Sequence, residues 1–177
     1  MRRWIAIALF ALGLSACAQG GLPPIATVSA SDTDGPFRLD VVLPHADWKS
    51  AEPITGTVTL SFDGPAPTTI YGSGNVLNFT YAEVGGTRKV DPVWTADCAI
   101  HPLDPATPIS VALGKTGAAS HSDPSAGFLR SFLFATSDVR LPAGTWNITA
   151  LAIFSEGDAC SGPSHDMEAT VRVTVGD

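Results

Sequence analysis

The last stretch of the chain constrains its fold most. Met167, Ala169, Val171, Val173 and Val175 alternate without a fault with Glu168, Thr170, Arg172 and Thr174. A period of two marks a strand with one buried and one wet face. The same period recurs upstream. Phe37, Leu39, Val41 and Leu43 share one side against Arg38 and Asp40, and Val58, Leu60 and Phe62 share one against Thr57, Thr59 and Ser61. Thr68–Tyr71, Leu77–Tyr81, Arg88–Trp94 and Ile109–Leu113 read as further short strands, and Trp146–Phe154 as a long one fed by a tight turn. Gly- and Pro-rich breaks such as Asp63-Gly64-Pro65 and Gly85-Gly86 punctuate them. Phe128–Ala135, apolar on both faces except for Arg130 and Ser131, reads as a central strand. No segment reads as a helix and no internal repeat is visible. The expectation is an all-β antiparallel sandwich of eight or nine strands.

Ahead of this body, Arg2 and Arg3 precede an unbroken apolar run, Trp4–Leu14. That run is shorter than the roughly 20 residues that span a bilayer, and it has the form of an export signal. Leu14-Ser15-Ala16-Cys17 resembles the lipobox of bacterial lipoproteins. The resemblance implies that residues 1–16 are a signal peptide and that Cys17, once freed, carries lipid. Two or three acyl chains hold a protein stably on a membrane where one alone is marginal. The expected address is therefore the cell envelope, outside the cytoplasm and membrane-anchored through Cys17. Residues 17–36, rich in Gly, Pro, Ser and Asp and without periodicity, read as a tether, and 37–177 as the folded domain. With Cys17 claimed by lipid, Cys98 and Cys160 are an even pair in an oxidising compartment, and a disulfide between them is expected.

Within the body, Leu141-Pro142-Ala143-Gly144-Thr145-Trp146 resembles the corner before a late strand in bacterial immunoglobulin-like and fibronectin-III-like modules. An aromatic residue packs at that corner, commonly a tyrosine with a bonded hydroxyl. Trp146 stands in its place here, so the indole N–H must find its own acceptor. The wider layout (Phe79-x-Tyr81, Gly85-Gly86, Val93-Trp94, then the corner) resembles the Ig-like domain of bacterial intracellular proteinase inhibitors. Both resemblances imply an Ig-like fold. The second also implies a protein-capture role, for which the long loop Gly114–Gly127 is the candidate segment.

The chain carries 10 basic and 17 acidic residues, for a net charge of −7; without Arg2 and Arg3, eight basic residues face 17 acidic ones. Such a surface disfavours nucleic acid and adhesion to anionic lipid. Ser120-His121-Ser122-Asp123 holds the residue types of a hydrolase triad, but adjacency in one loop does not build one, and no Gly-x-Ser-x-Gly elbow occurs. A non-enzymatic interaction or structural module without a cofactor is expected. Two ligand alternatives stand beside it. If the disulfide forms, Asp97, His101 and Asp104 near Cys98 meet Asp158, His165 and Asp166 near Cys160, a set whose imidazoles and carboxylates suit a divalent cation. Trp48, between the first two strands, offers either a lid for the core or an exposed face on which a sugar could stack.

Overall fold

A computed structural model describes residues 26–118, 125–157 and 160–177. It is a β-sandwich. Strands β1 (Val28–Asp34), β2 (Phe37–Leu43), β4 (Thr57–Phe62) and β8 (Ile109–Ala112) form one sheet in the order β1-β2-β4-β8. The second sheet runs β3 (Asp47–Lys49), β10 (Ser161–Gly176), β9 (Gly144–Gly157), β5 (Thr68–Glu83), β6 (Lys89–Val90), with β7 (Ala99–Leu103) also paired to β5. Pairing is antiparallel except for β3, which lies parallel to β10. The alternating residues do what their period dictates. Leu39, Val41, Val58 and Leu60 from one sheet meet Phe79, Ile148, Ala150, Val171 and Val173 from the other in a single buried core.

Two expectations from the sequence are corrected. Val28–Asp34 belongs to the domain, not to the tether: all seven residues pair with β2, from Val28↔Leu43 to Asp34↔Phe37. Gly35 makes the connecting hairpin possible, because its φ of +57° is one that a side chain would strain. Phe128–Ala135 is helical. The single helix among the described residues, α1 (Ala126–Phe134), buries Leu129 and Phe132 with Phe128 and Leu133 half-covered, and leaves Phe134 77% exposed. Residues 128, 129, 132 and 133 trace a helical face of period 3.6. A central strand would have buried residue 134 as well.

The helix covers the corner. Phe128 packs on Trp146 at 5.4 Å between ring centroids, and Phe132 on Tyr81 at 5.0 Å. Trp146 is fully buried, and its indole N–H donates to the Pro142 carbonyl at 2.9 Å, which supplies the partner that a tyrosine hydroxyl would have found. The Arg88 guanidinium lies 5.1 Å from the Trp146 ring centroid and is paired with Glu83. That pairing holds the Glu83 carboxyl below the usual carboxylate range. Gly144 has φ +148°, and a Cβ there would sit 3.3–3.5 Å from the Glu83, Trp146 and Arg88 side chains. The glycine of the corner motif is thus fixed by both conformation and space.

Tyr81, also fully buried, donates its hydroxyl to the Gly114 carbonyl. Burial pushes its phenol far above the ordinary tyrosine value. The native state therefore holds this proton more tightly than the unfolded chain does. The stabilisation it gives is complete below the unfolded value of about 10 and is lost as pH rises past it. Alkaline denaturation of the full chain should steepen by up to about 1.4 kcal/mol per pH unit above ~10. In Tyr81→Phe that slope should flatten, at a cost near neutrality of about 1 kcal/mol for the lost hydrogen bond. Matched urea titrations across the alkaline range check it; parallel pH profiles for the two proteins would refute it.

Candidate functional site: a strap across the second sheet

Between β6 and β7 the chain leaves the sheet edge as a strap, Asp91–Cys98. Both ends are held. At one end, Val90 pairs with Tyr81. At the other, Cys98 is bonded to Cys160 with an S–S distance of 2.07 Å, as the sequence predicted. Cys160 sits just ahead of β10, so the bridge lies at one end of the sandwich.

A third hold comes from β5. Its register against β9 jumps between Gly72 and Leu77, so Ser73–Val76 bulge out of the ladder. A bulge frees backbone groups for other partners, and this one hands them to the strap. The Gly74 N–H donates to the Thr95 hydroxyl at 3.1 Å and to the Asp97 carboxylate at 3.3 Å. Ser73 and Thr95 hydroxyls meet at 2.7 Å, and the Thr95 N–H donates to Ser73 Oγ at 3.0 Å. Asn78 Nδ2, itself buried, donates to the Asn75 carbonyl at 2.8 Å and braces the bulge from within. The Thr95 hydroxyl and the Gly74 N–H hold the Asp97 carboxyl below its ordinary range, so it stands ionised at the strap's foot.

Trp94, half-buried at the middle of the strap, is a wall shared by two hollows. One, of about 360 Å³, is lined by Tyr71, Ser73, Asp97, Ile153, Ser155 and Ser164 and is mainly apolar with hydroxyls at its rim. The other, of about 410 Å³, is lined by Thr80, Lys89, Asp91, Thr149 and Glu168. Of the six large apolar side chains exposed among the described residues, Val93, Ile100 and Ile153 belong to the strap or to the strands it crosses. Ile100 and Ser155 both lie opposite Tyr71 across neighbouring strands. Apolar exposure gathered in this way, rimmed by polar groups, is the usual mark of a contact surface.

The residues singled out from the sequence fare differently. Trp48 is in the core at 5% exposure, with its indole N–H on the His45 carbonyl at 3.1 Å and its ring against His45. It is a lid, and no face is left for a sugar. Of the six metal-ligand candidates, the five among the described residues do not assemble. Asp97 serves the bulge, and His101 Nε2 lies 2.9 Å from the Ser73 carbonyl. Asp104 accepts from the Ala106 N–H at 2.7 Å within its own turn, and Asp166 is exposed on β10. Asp158 lies outside the described residues, as do Cys17 and Ser120–Asp123.

His165 is buried with both ring nitrogens engaged, Nδ1 at 2.8 Å from Asp34 Oδ2 and Nε2 at 2.9 Å from Glu156 Oε1, its ring packed against Phe37 and Phe154. Neither nitrogen is left for a metal; the histidine clamps β1 to β9 and β10. Among the described residues no three His, Cys, Asp or Glu side chains converge on a point where a cation could sit. Nothing local in the sequence reveals which tryptophan will border a groove, because the bulge that positions Trp94 lies about twenty residues away, at Ser73–Val76.

Compared with known proteins, the chain matches no family model, no curated sequence and no solved structure.

Proposed function

We propose that this chain is a non-enzymatic binding module of the cell envelope, anchored by lipid on Cys17, and that it takes its partner on the groove either side of Trp94. The observation that carries the reading is the strap itself. Three independent holds, from strand pairing, a bulge and a disulfide, fix an otherwise irregular segment across a sheet face. They place a half-buried indole between two hollows of ligand size. A rigid aromatic held in advance loses little entropy when a partner arrives. The proteinase-inhibitor reading draws less support. At the described ends of the 114–127 loop, Thr116 is bonded to Phe79 at 3.0 Å and Ala126 opens the helix.

Carbohydrate is the ligand class that the groove favours. The ring face of Trp94 suits stacking on a pyranose. Ser73, Thr95, Ser155, Thr80 and Thr149 place hydroxyls on either side of it. Asp97, Asp91 and Glu168 against the single cation Lys89, itself paired with Asp91 at 2.8 Å, select an uncharged or amine-bearing sugar over an acidic one.

The test uses the fact that Trp48 and Trp146 are buried. In the lipidated protein beginning at Cys17, which lacks Trp4, held in a polyoxyethylene detergent, acrylamide should quench Trp94 first, and Trp94→Phe should remove that accessible component. Uncharged oligosaccharides of the chito-, cello- and malto- series should protect the same component. Quenching that no glycan reduces would sink the carbohydrate assignment, and binding that survives Trp94→Ala would sink the groove.

A further inference from the structure

The opposite end of the molecule holds a second hollow of different chemistry. A cavity of about 360 Å³ lies at the C-terminal end of α1, lined by Lys115, Arg140, Ser131, Phe132, Thr136 and Leu141 among others. Two cations share it in a chain whose net charge is −7. Lys115 Nζ donates to the Thr136 carbonyl at 2.6 Å and to its hydroxyl at 3.3 Å, and stands 5.1 Å from the Phe132 ring centroid. These two bonds leave one ammonium hydrogen uncommitted. Arg140 donates to the Ala51 carbonyl and, at 3.2 Å, to Asp138, but its Nε–H is buried without an acceptor. Burial pushes the Lys115 ammonium below the ordinary lysine range; Asp138 opposes that shift and the Arg140 charge adds to it. Two cations therefore gather at the cavity against one carboxylate, Asp138.

Its position in the fold adds a second constraint. Val28 pairs with Leu43, Val42 with Thr57, and Thr57 with Ala112, while the Ile54 N–H donates to the Val139 carbonyl. The start of β1, the Lys115–Arg140 cavity and the exposed ring of Phe134 therefore occupy one end of the sandwich; Cys98–Cys160 occupies the other. Ten residues separate Cys17 from Val28; a random-coil linker of that length would reach about 16–19 Å. On the lipid-anchor reading, on which this placement rests, the cavity and Phe134 face the membrane.

We propose that the Lys115–Arg140 cavity binds a phosphate oxyanion, supplied by the headgroup of an anionic lipid or as the free ion. Two cationic donor groups suit the oxygens of a phosphate, Phe132 and Leu141 give an apolar flank for an attached chain, and Phe134 is placed to enter the headgroup layer. The anion accepts the spare Lys115 ammonium hydrogen and balances the charge that Lys115 and Arg140 bring together.

The chain has three lysines, Lys49, Lys89 and Lys115, so reductive ¹³C-methylation of the full chain in polyoxyethylene micelles gives few signals, with Lys115→Arg assigning the third. Inorganic phosphate at constant ionic strength should shift the Lys115 signal saturably and leave the other two in place. Arg140→Gln should weaken that response at least about tenfold. Ser131→Glu, at an exposed helix position lining the cavity, should abolish it by placing a carboxylate there, without lowering the melting temperature. Phosphatidylglycerol mixed into the micelles without phosphate separates the sources: a shift with lipid identifies the headgroup, a shift with phosphate alone the free ion. No shift with either, or a shift that survives both variants, overturns the proposal. The mass of the peptide bearing Cys17 tests the anchor separately. An unacylated Cys17 with the phosphate response intact removes the membrane placement and keeps the anion site.

Discussion

Replacing both Cys98 and Cys160 by serine should lower the unfolding free energy by about 4 kcal/mol. The bridge joins residues 62 apart in sequence, and the chain-entropy cost of closing such a loop is of that size at room temperature. For domains whose native state lies about 5–15 kcal/mol below the unfolded state, as is typical, that is a large share. The urea midpoint should fall and the slope should rise, since the unbridged unfolded chain is less compact and exposes more surface. The variant has a local signature as well. Without the bridge the strap keeps the Val90 pairing, the start of β7 at Ala99↔Gly72 and the hydrogen bonds from Ser73 and Gly74, so acrylamide should reach Trp94 more readily even under conditions where the variant is folded. A loss below about 1 kcal/mol would mean that strain in the native bridge offsets its entropic gain. Unchanged quenching would mean that the bulge alone positions the indole.

Trp146→Ala should cost about 3–5 kcal/mol, in the range for removing a large aromatic side chain from a packed interior. The ring is wholly buried against Phe128 and under Arg88, and its N–H satisfies the Pro142 carbonyl. Truncation removes all three contacts at once. Thermal melts should fall by roughly 6–20 °C for a domain of this size. Trp146→Phe separates the terms: it retains most of the apolar surface and loses the hydrogen bond, so it should cost only about 1–3 kcal/mol. Equal losses in the two variants would show that the Pro142 bond, and not the packing, holds the corner.

Strands whose alternation was clean, β2, β4, the second half of β5, β9 and β10, were legible because one face of each is buried and the other wet. The disulfide was legible from cysteine parity. Three elements were not, each for a physical reason. Helix α1 has nine residues and an apolar face too broad to separate from a buried strand by periodicity. Strand β1 is an edge strand with a burial pattern of half-buried and exposed residues only. Its sequence, Val-Ser-Ala-Ser-Asp-Thr-Asp, lacks the bulky residues that announce a core. The strap is held by a bulge and a bridge, neither of which leaves a local period. The Trp94 groove was missed for the same reason, while of the two readings open for Trp48, lid or exposed face, the lid holds because β3 joins β10 at Val175.

Strand β1 also decides how the protein survives in company. β10 is 16 residues long, yet on its far side from β9 only Thr174–Gly176 are paired, with β3. Along the rest of that edge β1 lies close by. Asp32 Oδ2 accepts from the Glu168 N–H at 3.0 Å, and Asp34 holds His165. An unpaired strand edge of that length is a template on which another chain can add. Two carboxylates from the first few residues of the domain occupy it and repel like-charged neighbours. The segment that resembles a continuation of the tether thus closes the β10 edge to strand addition by another chain.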